Sequence, residues 1–409
     1  MNLSYFISKR ISSTENIQKG AFSSIIHRIA VISIALGLAV MIISFSILFG
    51  FQETVKDKLY SFSAHLQVTK FTLNHSLEEI PVSITNDFYQ NYSDYELIDH
   101  VQQFALKAGL IRTDDEILGV VFKGVGKDFD YSRFEQNMVE GEFIQFDSSS
   151  YSKEVVLSKN IANKLNIEVN DDITVHFFQN PPRVRKLTVK GIYETNLSEY
   201  FDDKVILGDI DLIRRLNNWP DSLAGGYEVY LKNAEDAKIV EQQLDNDLPL
   251  DLFVEKISDK FIQIFEWLDL IRRQVNIFLG LILFVVCFNM ISVILILIME
   301  RTQMIGMLKA LGAENGLIRK IFNYTGMRIV AKGLFLGNSI AFGLCALQYY
   351  FKLIPLTPKD YYMSYVPISW NWDIILVLNV FTFLVVSFIL AVPTIFITRI
   401  QPIKAIRFD

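Results

Sequence analysis

Two long runs without a single charge, Ile29 to Phe49 and Val275 to Met299, constrain this chain more than any other feature. At a rise of about 1.5 Å per residue, a helix of about 20 apolar residues matches the roughly 30 Å hydrocarbon core of a bilayer. The first run, "IAVISIALGLAVMIISFSILF", is longer than the about 7–15 apolar residues of a secretory signal. No small-residue cleavage pattern follows it, so it reads as a membrane span. A third run, Ile374 to Thr398, carries Pro393 near its end, where neighbouring helices can re-satisfy the freed carbonyl. A fourth, Ile329 to Phe351, contains Lys332, Asn338 and Gln348. Lys332 lies within one turn of its start, where a four-carbon stem reaches the interface.

Four spans place both termini on one side, and the distribution of Lys and Arg says which. Residues 1–28 carry Lys9, Arg10, Lys19 and Arg28 against Glu15. The loop 300–328 carries Arg301, Lys309, Arg319, Lys320 and Arg328 against Glu300 and Glu314, and the tail adds Arg399, Lys404 and Arg407 against Asp409. The loop 352–373 has only Lys352 and Lys359 against Asp360 and Asp373, with Tyr361, Tyr362, Tyr365, Trp370 and Trp372 as an interfacial aromatic belt. Both termini and the loop 300–328 are therefore expected in the cytoplasm. From Phe51 to Leu270 there are 22 basic and 39 acidic residues, a net −17, against +11 for the remainder. An acidic body repels phosphate, so nucleic acid is not an expected partner.

That body reads as mixed α/β. "HLQVTKFTL" alternates as a strand does, and "LGVVFKGVG" is a β-rich run closed by glycines. "VVLSKNIANKLNIEVNDDITVHFF" reads as strand, helix capped by Ser158, turn at Asn170 to Asp172, and strand. "KLTVKGIYET" adds a strand, and "NAEDAKIVEQQLDN" an amphipathic helix before the strand "LFVEKIS". Two compact subdomains are expected, joined to the membrane by helical stalks through "GFQETVKDKLYSF" and residues 255–274. The stalks can transmit motion, and a passive spacer would have the same composition.

The chemistry of an enzyme is missing from the motifs. No G-x-x-x-x-G-K-[ST] occurs; "GVGKD" lacks the first glycine and places Asp128 where the hydroxyl belongs. His27, His65, His75, His100 and His176 are scattered without H-E-x-x-H or cysteine partners, so no metal is expected. The one cluster, His75 with Glu78 and Glu79, fits an exposed turn. Cys287 and Cys345 fall inside apolar runs, so the polar body holds no disulfide framework. No cofactor is expected to bind this chain directly.

"ERTQMIGMLKALGA", Glu300 to Ala313, follows the second run and is too short and polar to cross a bilayer. Met304, Met307, Leu308 and Leu311 fall at i, i+3, i+4 and i+7, one face of a helix. Gly312 is placed as its C-terminal stop. A helix resting on lipid would show the same pattern, with Arg301 and Lys309 meeting headgroups.

Together with the first-run segment "LGLAVMIISFSILFGFQETVKDKLYSFSAHLQVT" and the terminal "RIQPIKAIRFD", this segment gives the chain a resemblance to LolC/LolE-type permeases. These are lipoprotein-releasing ABC transporter permeases within the FtsX-like and MacB-type superfamily. The resemblance extends over nearly the whole chain. It implies a membrane protein of four transmembrane α-helices with a large extracytoplasmic mixed α/β domain between the first two. The implied order is a cytoplasmic segment 1–28, spans 29–51, 275–299, 329–351 and 374–398, a periplasmic domain 52–270, a cytoplasmic loop 300–328, a periplasmic loop 352–373 and a cytoplasmic tail 399–409. It also implies an inner-membrane, multi-pass subunit without its own ATPase motif, working with a cytoplasmic ABC ATPase that uses the ATP, a second permease subunit and a periplasmic lipoprotein carrier.

The resemblance makes the segment a coupling helix seated in a groove of the ATPase. Glu300 and Arg301 would start it, Met304, Met307, Leu308 and Leu311 would fill the groove, and Gly312 would end it. Acyl chains would enter between the spans of two permease subunits, with Phe45, Leu48 and Phe51 on the first span and Phe278, Ile282 and Val286 on the second as cavity candidates. Ordinary packing or lipid contact would use the same six residues. The family's carrier-recruiting subunit has a long hairpin where this chain has only "FFQNPPRVRK"; Pro181, Pro182, Arg183 and Arg185 there form either a small basic contact or a plain turn. Two rival readings remain open: MacB-like export of peptides or small molecules, and FtsX-like control of a cell-wall hydrolase.

Overall fold

A computed structural model describes residues 21–72, 80–113, 116–146 and 151–394, without the side chains of 21–24, 26 and 394. The basic N-terminal residues 9, 10 and 19, the cluster 75–79 and the tail motif 399–409 lie outside the described residues. The chain divides into two units: residues 54–266 with 356–364, and the residues up to 53 with 267–355 and from 365 onward.

The first unit is built on a ten-stranded sheet. Its strands are β1 (Leu66–Lys70), β3 (Ile98–Arg112), β4 (Ile117–Val125), β5 (Met138–Gly141), β6 (Glu154–Ser158), β7 (Asp172–Phe177), β8 (Arg183–Tyr193), β9 (Val205–Asp209), β11 (Gly226–Leu231) and β12 (Leu252–Lys256), while β2 (Val82–Ser83) and β10 (Leu223–Ala224) pair separately. The order begins β12, β1, β11, β3 and continues β4, β9, β6, β8, β5. β7 pairs with both β3 and β8, so β3, β4, β9, β6, β8 and β7 close into a ring. Along β7, Ile173, Val175 and Phe177 are buried while Asp172, Thr174 and His176 are not, the period-two alternation of a strand with one face on the core.

Besides α2 (Asp87–Gln90), α3 (Tyr131–Phe134) and α11 (Pro358–Tyr361), helices complete two hydrophobic clusters. Ser158 caps α4 (Lys159–Leu165), its Oγ accepting from Ile161 N at 3.1 Å, as its position before the apolar run led one to expect. Together α4 and α5 (Ile210–Asn217) send Ile161, Leu165, Ile210, Leu212, Ile213 and Leu216 into the ring's core around Phe122 and Phe177. The second cluster lies under β1, β11 and β12, where α6 (Ala237–Asp247) contributes Val240 and Leu244. β3 supplies Ile98 and Val101 to this cluster and Ala105 and Ile111 to the other. One continuous sheet thus carries two hydrophobic cores.

The second unit is helical. Among the described residues, four helices are long and apolar enough to cross a membrane. α1 (Ala21–Ser63) and α8 (Ile262–Glu300) each run unbroken through the expected stalk, so stalk and span are one element in both cases. α10 (Asn315–Phe351) starts fourteen residues before the expected span, and α12 (Trp372–Thr394) is the fourth. The span with most polar residues is held by close packing. Gly333 and Gly337 on α10 face α1, where an added Cβ would come within 2.7 Å of Ile34 Cβ and 2.8 Å of the Ala35 carbonyl oxygen. Small residues spaced four apart let apolar helices approach this closely. Asn338 and Asn379 exchange side-chain hydrogen bonds of 2.7 and 3.0 Å between α10 and α12, so their amides satisfy each other.

Candidate functional site

The segment after α8 folds as an elbow. α8 ends at Glu300, and Arg301 leaves helical geometry at φ −102° and ψ 17°. Thr302 Oγ1 donates to the carbonyl oxygen of Met299 (2.6 Å) at the end of α8 and lies 3.3 Å from that of Ile298, which also accepts from Arg301 N. α9 (Thr302–Ala310) follows. At its end Gly312 N donates to Lys309 O (3.0 Å) and Ala313 N to Leu308 O (2.9 Å), with Gly312 at φ +87°. This is a Schellman stop, and a β-carbon at that φ would be strained. Glu300 and Arg301 therefore precede α9 rather than belong to it, while Gly312 ends it as expected.

The expected four-residue face is divided. Ile305 is fully buried in a core shared with α1, α8, α10 and α12, and Met304 and Leu308 pack against that same core. Met307 (56% exposed) and Leu311 (85%) point away from it, beside exposed Gln303 and Ala310. Met304 and Leu308 are thus committed largely to the chain's own core, because Ile305, absent from the i, i+3, i+4, i+7 pattern, turns that side of α9 inward. The surface left for a partner is Gln303, Met307, Ala310 and Leu311. Desolvation holds the Lys309 ammonium below its ordinary pKa on the same helix.

The six cavity candidates do not form one surface. Leu48, Phe51 and Val286 are buried inside the protomer, and Phe45 and Ile282 are half-buried in its cores. Phe51 meets Trp267 edge-on with ring centres 5.4 Å apart, and Val286 Cγ2 occupies the space a side chain on Gly37 would need. Phe278 alone of the six is exposed (64%), on a face of α8 with Leu281, Phe284, Val285 and Phe288. An apolar run gives no period by which to separate inward from outward residues, and five of the six take the packing role that the same residues allowed.

Residues 178–182 make a five-residue turn between β7 and β8, with Phe177 opposite Arg183. Pro181 and Pro182 are exposed at its tip. Arg183 is turned back onto α5, donating to Arg215 O (2.8 Å) and Asn218 Oδ1 (3.4 Å), and Arg185 donates to its neighbour's carbonyl, Val184 O (2.9 Å). Both guanidiniums thus spend donors on the domain's own acceptors.

A cavity of about 200 Å³ was not visible in the sequence. It is lined by Asp57, Tyr60, Ser61, His65, Arg133, Gln136 and Tyr230. His65 Nδ1 accepts from Leu231 N at 3.0 Å, which leaves the proton on Nε2. Burial, and then the Arg133 guanidinium, push the His65 pKa down to about 4 against a smaller opposing pull from Asp99. Arg133 is itself held by Asp99 and Asp130 and lies over the Tyr230 ring.

With these elements placed, the chain can be compared with known proteins. Residues 29–247 match the MacB-like periplasmic core domain, and residues 276–402 match the FtsX-like permease C-terminal domain. The chain belongs to the FtsX-like permeases with a MacB-like periplasmic core domain. In this permease the ring, the five-residue turn and the cavity fall in the MacB-like part, and the elbow in the FtsX-like part. It is similar to the lipoprotein-releasing system transmembrane protein LolE of Haemophilus influenzae, at 24% identity over 92% of this chain and 93% of that one. It is likewise similar to the transmembrane protein LolC of the same system in Xylella fastidiosa, at 23% identity over 96% of each chain. The periplasmic region of MacB from Actinobacillus actinomycetemcomitans aligns with 49% of the permease and 92% of that chain, at 15% identity and a TM-score of 0.36.

Proposed function

We propose that this permease is the transmembrane subunit of an ABC transporter that extracts acylated lipoproteins from the inner membrane and hands them to a periplasmic carrier. The observation carrying this reading is the similarity, over nine-tenths or more of the chain, to proteins named for lipoprotein release. The reading has four spans, with both termini in the cytoplasm and residues 52–270 in the periplasm, and the Lys and Arg distribution supports it. In this reading a cytoplasmic ABC ATPase binds and hydrolyses the ATP, and these 409 residues carry no P-loop motif.

That ATPase receives the exposed side of α9, Gln303, Met307, Ala310 and Leu311. Met304, Leu308 and Ile305 anchor the helix, so motion imposed on it passes directly to α8 and α10. A second permease subunit, identical or paralogous, covers the outward face of α8 around Phe278. The five-residue turn at 178–182 is too short to hook a carrier, and carrier recruitment falls to a different subunit. Depleting this permease and fractionating acylated lipoproteins between the membranes tests the function. Retention in the inner membrane is expected, whereas normal sorting would discard lipoprotein release in favour of peptide export or hydrolase control.

A further inference from the structure

A buried ion pair of the first unit connects the ends of both long helices. Glu228 on β11 is fully buried and Lys123 on β4 is 3% exposed. Lys123 Nζ lies 2.6 Å from Glu228 Oε1 and also donates to Phe62 O in the last turn of α1, where a carbonyl has no partner within its helix. Glu228 Oε1 accepts further from Gln67 Nε2 on β1 (3.0 Å), and Oε2 accepts from Gln102 Nε2 on β3 (2.8 Å). Gln67 Oε1 in turn accepts from Lys260 Nζ at 2.5 Å. Lys260 closes the short helix α7 (Ile257–Lys260), two residues before α8 begins.

One carboxylate thus links four strands, the last turn of α1 and the residues that launch α8. A buried ion pair adds little net stability, because desolvating both charges offsets most of their attraction. What it does impose is geometry: a buried carboxylate with every oxygen occupied cannot shift without leaving a charge unpaired. We propose that Lys123 and Glu228 are positioning residues, a joint that fixes the end of α1 and the start of α8 to one point of the sheet, so that the two helices cannot move independently there. The proposal rests on the transport reading, for which such a joint would convert movement of the helices into movement of the periplasmic domain.

The test uses the full permease with its ATPase and second subunit, carrying Lys123→Met with Glu228→Gln, which removes both charges together and keeps an acceptor for one of the two glutamines. The expected result is loss of lipoprotein release with ATP hydrolysis retained, and faster amide exchange at residues 60–65 and 257–265 while β3 and β4 stay protected. Release and exchange both unchanged would overturn the joint, and faster exchange with release intact would overturn its role in transport. If the double variant loses protection throughout the sheet, Lys260→Met serves instead: its side chain is exposed, and the same uncoupling, confined to the start of α8, is expected. Absence of release from the unsubstituted complex would reject the transport reading, while the exchange measurement still judges the joint.

Discussion

Protonating His65 would set a second cation beside Arg133 in a half-closed cavity and break the acceptance from Leu231 N. In the unfolded chain the same imidazole gains its proton near pH 6.5. The folded state therefore binds fewer protons between pH 6.5 and about 4. Stability from this group is complete above 6.5 and falls with acidification by up to about 1.4 kcal/mol per pH unit. Thermal unfolding of the full-length permease should show this loss, and His65→Asn, which keeps an acceptor for Leu231 N, should flatten that part of the profile. An unchanged slope in the variant would assign the acid sensitivity elsewhere. At this scale Ser158 was legible, because an N-cap is decided by its immediate neighbours. Glu228 was not: nothing near it in the chain announces that its partners stand at 67, 102 and 123.

Elements were legible where local periodicity decides them and obscure where packing does. The strands around "LGVVFKGVG" and "DITVHFF" declared themselves by composition and alternation. β3, the longest strand, did not, because Gln102 and Lys107 are buried amid its apolar residues and disguise the period. α9 was legible in its existence and its stop at Gly312, yet not in the direction it faces. That direction yields a prediction. Met307→Asp or Leu311→Asp, at exposed positions, should abolish co-purification of the ATPase while leaving membrane insertion and thermal stability unchanged. Leu308→Asp should instead destabilise the helical core by about 2 kcal/mol or more, since it brings an unpaired charge toward that core. Undiminished co-purification by both exposed variants would remove α9 as the docking helix.

For the whole molecule, the proposed arrangement of spans rests on apolar run length and on where the basic residues lie, both of which survive without any tertiary information. A reporter fused after Asp409 should be active only if it functions in the cytoplasm, and one inserted near Asn217, at the end of α5, only if it functions outside. Any other pattern breaks the four-span arrangement. The closed ring was beyond sequence reading, since it depends on β7 finding β3 across about sixty intervening residues. Its closure also leaves a mark on how the protein is made. With cysteines only at 287 and 345, the domain's maturation owes nothing to oxidative folding catalysts. What holds the ring shut is pairing between distant segments, the kind of contact that forms slowly because the intervening chain must first be drawn in. The newly exported domain must therefore pass through a stage with open strand edges, and its yield should depend on protection from aggregation rather than on the redox state of its compartment.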